Sequence, residues 1–233
     1  MGWHPPVTDQ LWDSTGGGQP TGAVELNDDF AFDSWETIKG MLARNEPVGD
    51  VMPARKPPNV ARFLFNNKRG FPLYDSNGGE LFEDCKTLRQ LGVDYAGFQE
   101  ANLDTNQSYV KKRIHAAVSK AFDHRKVTYG SSPQVHLNDY KPGGTLALVM
   151  GRTVGRVVES GADYLGRWTR TVLSCKDGKR LAIYNAYTVC DTAISRAGDR
   201  SVIAQLHAIY VQEDRPCLDP RRNHYDDLQE CIK

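Results

Sequence analysis

The sequence predicts an α/β fold that begins near Ala61. Short apolar runs alternate there with segments in which apolar residues recur every three or four positions. After Pro142 the pattern becomes β-rich: a Gly-Gly turn precedes an apolar strand, and Asp177-Gly178 marks a hairpin. The last part of the chain returns to helical spacing. Such an alternation of strands and helices is typical of an α/β domain.

The individual elements follow from this spacing. The predicted strands are Phe63–Asn67, Val93–Gln99, Thr145–Met150, Val154–Glu159, Gly166–Ser174 and Lys179–Tyr187, and the predicted helices are Glu80–Leu91, Ser108–Phe122, Arg200–Val211 and Asn223–Ile232. Gly92 supplies the C-terminal stop of the first helix. Pro220 is expected to break the chain before the last helix, which Asn223 would cap.

Residues 1–60 differ from the rest of the chain. Thr15 to Thr21 is rich in Gly and Pro, and Pro47 to Pro58 carries four of the twelve prolines. We therefore predict an irregular or disordered leader over 1–60 and one domain over 61–233. A docking role of the leader for a protein partner stays open.

Bulk properties exclude few functions. Of the 233 residues 39% are hydrophobic and 25% charged, which suits a globular domain, and the formal net charge is zero. A nucleic-acid site would therefore need a local basic patch. No apolar run approaches the roughly 18 residues of a membrane helix, so no membrane association is expected. Five scattered cysteines without a Cys-x-x-Cys pair favour an intracellular location and argue against structural zinc.

Polar side chains stand at the ends of three predicted strands. Asn67 ends the first strand, Glu100 follows the second, and Tyr187 ends the last. One site at one edge of a sheet would bring the three together. Glu100 could bind Mg²⁺ or Mn²⁺, which prefer carboxylate oxygen and phosphate. Asn67 would offer an amide and Tyr187 a hydroxyl group.

Basic residues accompany these candidates. Arg167 and Arg170 lie on the strand beside Tyr187 and could form charge-assisted bonds to phosphate oxygens. A metal, cations and hydroxyl donors at one rim are the parts needed for phosphodiester hydrolysis. The alternative is that Glu100 is an ordinary surface residue. Four basic residues of the second predicted helix also have two interpretations: they form a solvated helix face, or they contact phosphate. They are Lys111, Lys112, Arg113 and Lys120.

Four segments follow one another in a recognisable order. Asn67 and Gly70 form an Asn-x-x-Gly pair, Val93–Glu100 ends in Gln-Glu, and Gly143–Val149 joins a Gly-Gly turn to a strand. The paired segments Gly166–Arg170 and Asn185–Tyr187 come next. Together they resemble the motifs of the endonuclease/exonuclease/phosphatase superfamily, which includes DNase I, and retroelement-type endonucleases look closest. The resemblance runs from about residue 62 to the C-terminus.

The resemblance implies a four-layer α/β sandwich of the DNase I-like type, with two mixed sheets face to face and helices outside. It implies metal-dependent phosphodiester hydrolysis on nucleic acid, with Mg²⁺ or Mn²⁺ as cofactor and DNA as partner. Glu100 would be the metal ligand, Asn67 would orient the phosphate and metal, and Tyr187 would contact the scissile phosphate. Arg167 or Arg170 would be phosphate contacts. A phosphoester phosphatase of the same superfamily is an alternative.

Two further motifs of that superfamily are missing from the sequence. Gly198-Asp199-Arg200-Ser201 has Ser where a Gly-Asp-x-Asn segment needs Asn, and Asp123-His124 lies upstream of Tyr187, where no Ser-Asp-His segment belongs. We therefore expect a C-terminally incomplete domain that is inactive or crippled. A non-catalytic module that binds nucleic acid or protein is the alternative. His207 and His224 are expected to be surface or capping residues.

Overall fold

The computed structural model describes residues 56–57, 59–72, 79–133, 141–188, 201–215 and 219–233. The strands are β1 Phe63–Asn67, β2 Tyr95–Gln99, β3 Arg125–Gly130, β4 Thr145–Met150, β5 Val157–Ala162, β6 Trp168–Ser174 and β7 Arg180–Ala186, and the α-helices are α1 Gly79–Gln90, α2 Ser108–Ala121, α3 Val202–Gln212 and α4 Pro220–Ile232. Nearly all of the predicted leader lies outside the described residues, so the division at residue 60 stays a prediction. Within the described part, no helix combines the length and apolar character needed to cross a membrane.

The strands form two sheets. The first has the order β1-β2-β4-β3; β1 is parallel to β2 and the other two pairs are antiparallel. The second has the order β5-β6-β7 and is antiparallel in its described part. A mixed α/β architecture with two sheets is thus confirmed. The prediction that both sheets are mixed does not hold for the described strands of the second, because short turns join these three strands consecutively and so reverse their direction.

Helices α1 and α2 cover one face of the first sheet. Each helix buries one apolar stripe, formed by Leu81, Cys85 and Leu88 in α1 and by Val110, Ile114, Ala117, Val118 and Ala121 in α2. These stripes pack on Phe98, Leu146 and Leu148 of the sheet. The spacing of three and four residues that predicted both helices is therefore the spacing that forms this core.

The second sheet packs on the other face of the first. Tyr95, Ala147 and Val149 form a buried cluster there with Leu173 and Ile183. Because β4 is covered on both faces, all six of its residues are buried, which explains its continuous apolar sequence.

Helix α4 contacts the outer face of the second sheet. The rings of His224 and Trp168 lie 5.5 Å apart, and the Tyr184 hydroxyl donates a hydrogen bond of 2.9 Å to the carbonyl of Cys231. His224 is only 3% exposed, so its prediction as a surface or capping residue is wrong. The aromatic surface of Trp168 across from it explains the burial.

Three elements differ from the prediction. The sequence analysis missed β3, because Arg125–Gly130 is a partly exposed edge strand that begins with two basic residues. Pro220 begins α4 rather than breaking the chain, since proline is well suited to the first helical turn, and Asp219 rather than Asn223 is the N-cap. The strand predicted to begin at Val154 begins at Val157, because a 3-10 helix occupies Gly151–Arg156.

In the described part of the chain, strand β1 is the other edge of the first sheet. Phe63 and Phe65 are 42% and 51% exposed, although both rings contact Tyr95. An edge strand with exposed apolar side chains offers unpaired backbone groups to a partner.

Candidate active site

The structure brings Asn67 and Glu100 together. β1 and β2 are parallel, and Asn67 is in register with Gln99, the residue before Glu100. The Asn67 Nδ2 donates a hydrogen bond of 3.1 Å to the Glu100 Oε1, while its Oδ1 accepts one of 3.3 Å from the Arg69 backbone N–H. Asn67 therefore holds the Glu100 carboxylate at the rim where both strands end.

The backbone around this pair is unusual. Glu100 has φ of 50° and Asn102 has φ of 52°, in the left-handed region that side chains other than glycine seldom occupy. Gly70 has φ of 114°, and a Cβ there would lie 3.2 Å from the Asn102 Nδ2. The Asn-x-x-Gly pair thus has a physical basis. Asn67 orients Glu100, and Gly70 leaves room for the Asn102 side chain in the loop after Glu100. Left-handed non-glycine residues often mark functional sites.

A buried ion pair fixes the loop after Glu100. The Lys141 Nζ and Asp104 Oδ1 lie 3.4 Å apart, and each side chain is 1% exposed. Burial lowers the pKa of Lys141, whereas Gln107 and Lys141 outweigh burial and lower the pKa of Asp104. The Asn102 side chain accepts a hydrogen bond of 2.8 Å from the Gly143 backbone N–H. The rim is therefore built from the β2 end and the residues that directly precede β4, joined by hydrogen bonds.

Asn185 of β7 connects the two sheets and is fully buried. Its Nδ2 donates hydrogen bonds of 3.1 Å to the Phe98 carbonyl and 3.2 Å to the Leu146 carbonyl, and its Oδ1 accepts one from Gln99. Gly97 makes this approach possible, because a Cβ there would lie 2.7 Å from the Asn185 side chain. The bridge places the ends of β2 and β7 at the same end of the packed sheets.

We expect replacement of Asn185 by alanine to lower the free energy of unfolding by about 2–3 kcal/mol, because Gln99 loses its buried partner and the two carbonyls lose a donor. Urea unfolding would measure this. As a matched control, Asn66→Ala, at an exposed position of the edge strand β1, should change stability by under about 0.5 kcal/mol, since surface substitutions rarely cost more. Equal losses in both variants would contradict a specific inter-sheet role.

Tyr187 lies two residues after Asn185, directly after the end of β7. Its backbone N–H donates a hydrogen bond of 2.8 Å to the Arg167 carbonyl. Its partly buried ring packs against a cluster that includes Leu165 and Leu206 of α3, and it lines a cleft together with Ser132 and Gly144. The Gly144 carbonyl accepts from the Ala101 backbone N–H, directly after Glu100. Tyr187 is thus near the rim, with its ring against α3.

The structure gives Arg167 other partners than phosphate. Its guanidinium is 3% exposed and forms ion pairs of 2.7 Å with Asp163 and 2.6 Å with Asp227. It also donates to the Tyr210 hydroxyl and stacks on Trp168 at 4.4 Å. Burial alone would lower the pKa of Arg167, but the two aspartates raise it above its ordinary value. This geometry indicates a structural role.

Arg170 lies away from Asn67 and Glu100. Along β6, side chains alternate between the two faces, and Thr169 and Thr171 are the fully buried residues on the inner face. Arg170 therefore projects on the outer face, where it forms an ion pair with Glu159 and lies 5.9 Å from the Tyr184 ring. The predicted phosphate contact is not brought to the rim.

The fit of a metal ion rests on Glu100. Among the described residues, no group of three or more His, Cys, Asp or Glu side chains converges as a metal site. Mg²⁺ often uses only one or two protein carboxylates and takes its remaining ligands from phosphate and water. Glu100, oriented by Asn67, fits one such ligand. The roles predicted for both residues stay predictions.

Sequence reasoning assigned no role to the residues that support this rim, namely Gln99, Asn102, Asp104, Lys141 and Asn185. An Asn two residues before Tyr187 was visible as part of a motif. Nothing local in the sequence distinguishes Lys141 from an exposed lysine, because its partner Asp104 lies 37 residues away.

Comparisons with known proteins give matches among solved structures. No protein-family model matches the chain, and a comparison with curated proteins finds no match. Among solved structures, the chain is similar to an endonuclease/exonuclease/phosphatase family protein from Leptotrichia buccalis C-1013-b, with 14% identity and a TM-score of 0.40. The match covers 57% of this chain and 56% of that one, so the chain spans little more than half of that protein's length.

Proposed function

We propose that the rim at Asn67 and Glu100 acts on phosphodiester bonds of nucleic acid with Mg²⁺ or Mn²⁺, within a four-layer sandwich of the endonuclease/exonuclease/phosphatase type. The motif resemblance, with retroelement-type endonucleases as the closest branch, motivates this. The observation that carries it is the contact between the two side chains at adjacent strand ends, with Glu100 in a strained backbone conformation.

Each residue has a proposed task. Glu100 would hold the divalent ion, which when bound would polarise the phosphoryl group and lower the pKa of water. Asn67 keeps the carboxylate oriented through its amide, and Tyr187 would contact the phosphate from the β7 side. Arg69 is better placed than Arg167 or Arg170 to contact a phosphate at the rim, because it is exposed and lies in the same turn as Asn67. Turnover is expected to be low, because the sequence contains neither Gly-Asp-x-Asn nor Ser-Asp-His.

The first test is metal binding and nicking by the Glu100→Gln variant. We expect calorimetry to show an Mn²⁺ affinity at least about tenfold weaker, because the variant loses the charged ligand of the ion. We also expect loss of Mg²⁺-dependent nicking of supercoiled plasmid. Glu230→Gln on the exposed part of α4 is the matched control and should behave as the unmodified chain does. Nicking that survives Glu100→Gln would show that the site is wrongly assigned.

A non-catalytic binding module is the second candidate. It is favoured by the absence, among the described residues, of a converging group of three or more His, Cys, Asp or Glu side chains. Binding of DNA without nicking at any Mg²⁺ or Mn²⁺ concentration would support it over hydrolysis. Turnover of a small phosphomonoester in place of plasmid would instead support the phosphatase alternative.

A further inference from the structure

The chain has a strongly uneven charge distribution. Its 29 basic and 29 acidic residues balance overall, yet residues 105–133 contain six Lys and Arg residues and one Asp. This segment comprises α2, β3 and the loops beside them. Helix α2 itself contains no acidic residue. A neutral protein that gathers positive charge on one helix and one strand creates a local field for a polyanion.

A tight set of contacts orders part of this charge. The Lys111 Nζ lies 5.4 Å from the centre of the Tyr129 ring, and the His115 ring meets Tyr129 edge-on at 6.2 Å. Lys112 is the next residue of α2 and is exposed. We call Lys111, Lys112, His115 and Tyr129 the basic strip. In the part of the chain that the structure describes, no ion pair joins Lys111 or Lys112 to a carboxylate.

The basic strip adjoins the rim. Gly130, directly after Tyr129, is in register with Thr145 of β4, which is in register with Gln99 of β2. Two strand spacings separate Gly130 from Gln99, which is about 10 Å. Glu100 follows Gln99, so one short stretch of an extended polyanion could contact both the rim and the strip.

We propose that the basic strip binds the phosphate backbone of a nucleic acid and positions it across the rim. Two lysines supply charge, and the Tyr129 ring holds Lys111 in place by a cation–π contact. Because this contact is to phosphates, it is independent of base sequence and strongly dependent on salt. This contact rests on the proposed function, because it would hold the nucleic-acid substrate of the rim. Binding to the basic strip itself needs neither metal nor turnover.

The test is fluorescence anisotropy of a labelled 20-base-pair duplex with EDTA present, over a series of salt concentrations. For Lys111→Gln/Lys112→Gln we expect about a tenfold loss of affinity at low salt, and the slope of log K against log salt should shrink by about 2. Lys176→Gln/Lys179→Gln removes the same charge from the β6–β7 hairpin. That hairpin lies at the far end of β7 from Tyr187, about 20 Å away along the strand, and the variant should keep the slope.

Further variants separate the possible outcomes. Lys112→Gln alone should lower the slope by about 1 without touching the Tyr129 packing, so a folding defect cannot imitate the effect. Glu100→Gln should not weaken binding in EDTA, because it removes a negative charge beside the polyanion. Intact binding by the unmodified chain without any nicking would therefore overturn only the hydrolytic proposal. An equal loss in the hairpin variant, or tighter binding to anionic phospholipid vesicles than to the duplex, would overturn the basic strip as a nucleic-acid surface.

Discussion

Replacing Arg167 by methionine should lower the free energy of unfolding by about 3–5 kcal/mol, because it leaves the buried Asp163 carboxylate without its cation. The Asp163 side chain is only 4% exposed and accepts hydrogen bonds from the Arg167 Nε and Nη2. Asp227 of α4 loses its contact to the second sheet in the same change. Urea unfolding at neutral pH would measure the loss.

Arg215 is the matched control for Arg167. It also pairs with Asp227, at 2.6 Å, but its side chain is 30% exposed. Solvent screens such a pair, so Arg215→Met should cost only about 1 kcal/mol. Removing Asp163 and Arg167 together should cost less than removing Arg167 alone, because no unpaired charge would then remain at Asp163. Equal losses for Arg167 and Arg215 would contradict the buried network.

The second large effect is a pH dependence caused by His224. Burial, together with the nearby positive charge of Arg167, lowers the pKa of His224 to about 4, although Asp163 and Asp227 act in the opposite direction. Among the residues that the structure describes, its buried Nε2 finds no hydrogen-bond partner. In the unfolded chain the pKa of a histidine is about 6.5. Between these two pH values, the unfolded state therefore binds a proton that the folded state does not.

Stability should consequently fall as the pH drops from about 6.5 towards 4, by up to about 1.4 kcal/mol per pH unit, and His224 should have no effect above that window. His224→Phe keeps an aromatic ring against Trp168 and should flatten the dependence. His124→Gln, in an exposed loop, should leave it intact. Urea unfolding at three pH values between 4 and 7.5 gives the slopes. An unchanged slope in His224→Phe would mean that other groups cause it.

Local spacing explains which parts of the fold could be predicted. Helices α1 and α2 bury residues three and four apart, and β4 is apolar throughout, so their sequences are unambiguous. β3 was missed because an edge strand needs an apolar face on one side only, and its first residues are Arg and Lys. Pro220 was misjudged because proline ends one helix and begins another equally well.

The candidate site divides in the same way. Asn67 and Glu100 could be paired from the sequence, because parallel neighbouring strands end at the same edge. The structural role of Arg167 could not be predicted, because its partner Asp227 lies 60 residues away and only the folded chain brings the two side chains together. For Arg170 the deciding fact was the face of β6 on which it lies, and sequence alone does not tell which face of a strand meets the other sheet.

The bridge made by Asn185 has a consequence for how the protein opens. The Asn185 side chain joins β7 to the backbones of β2 and β4. It lies so close to Gly97 that there is no room for a side chain at that position. Local fluctuations that separate the sheets must break this junction first, so the amides of all three strands should exchange with deuterium as one cooperative unit. We therefore expect motions that reshape the rim to occur mainly in the loops, because sliding of the strands beneath it would break the Asn185 hydrogen bonds.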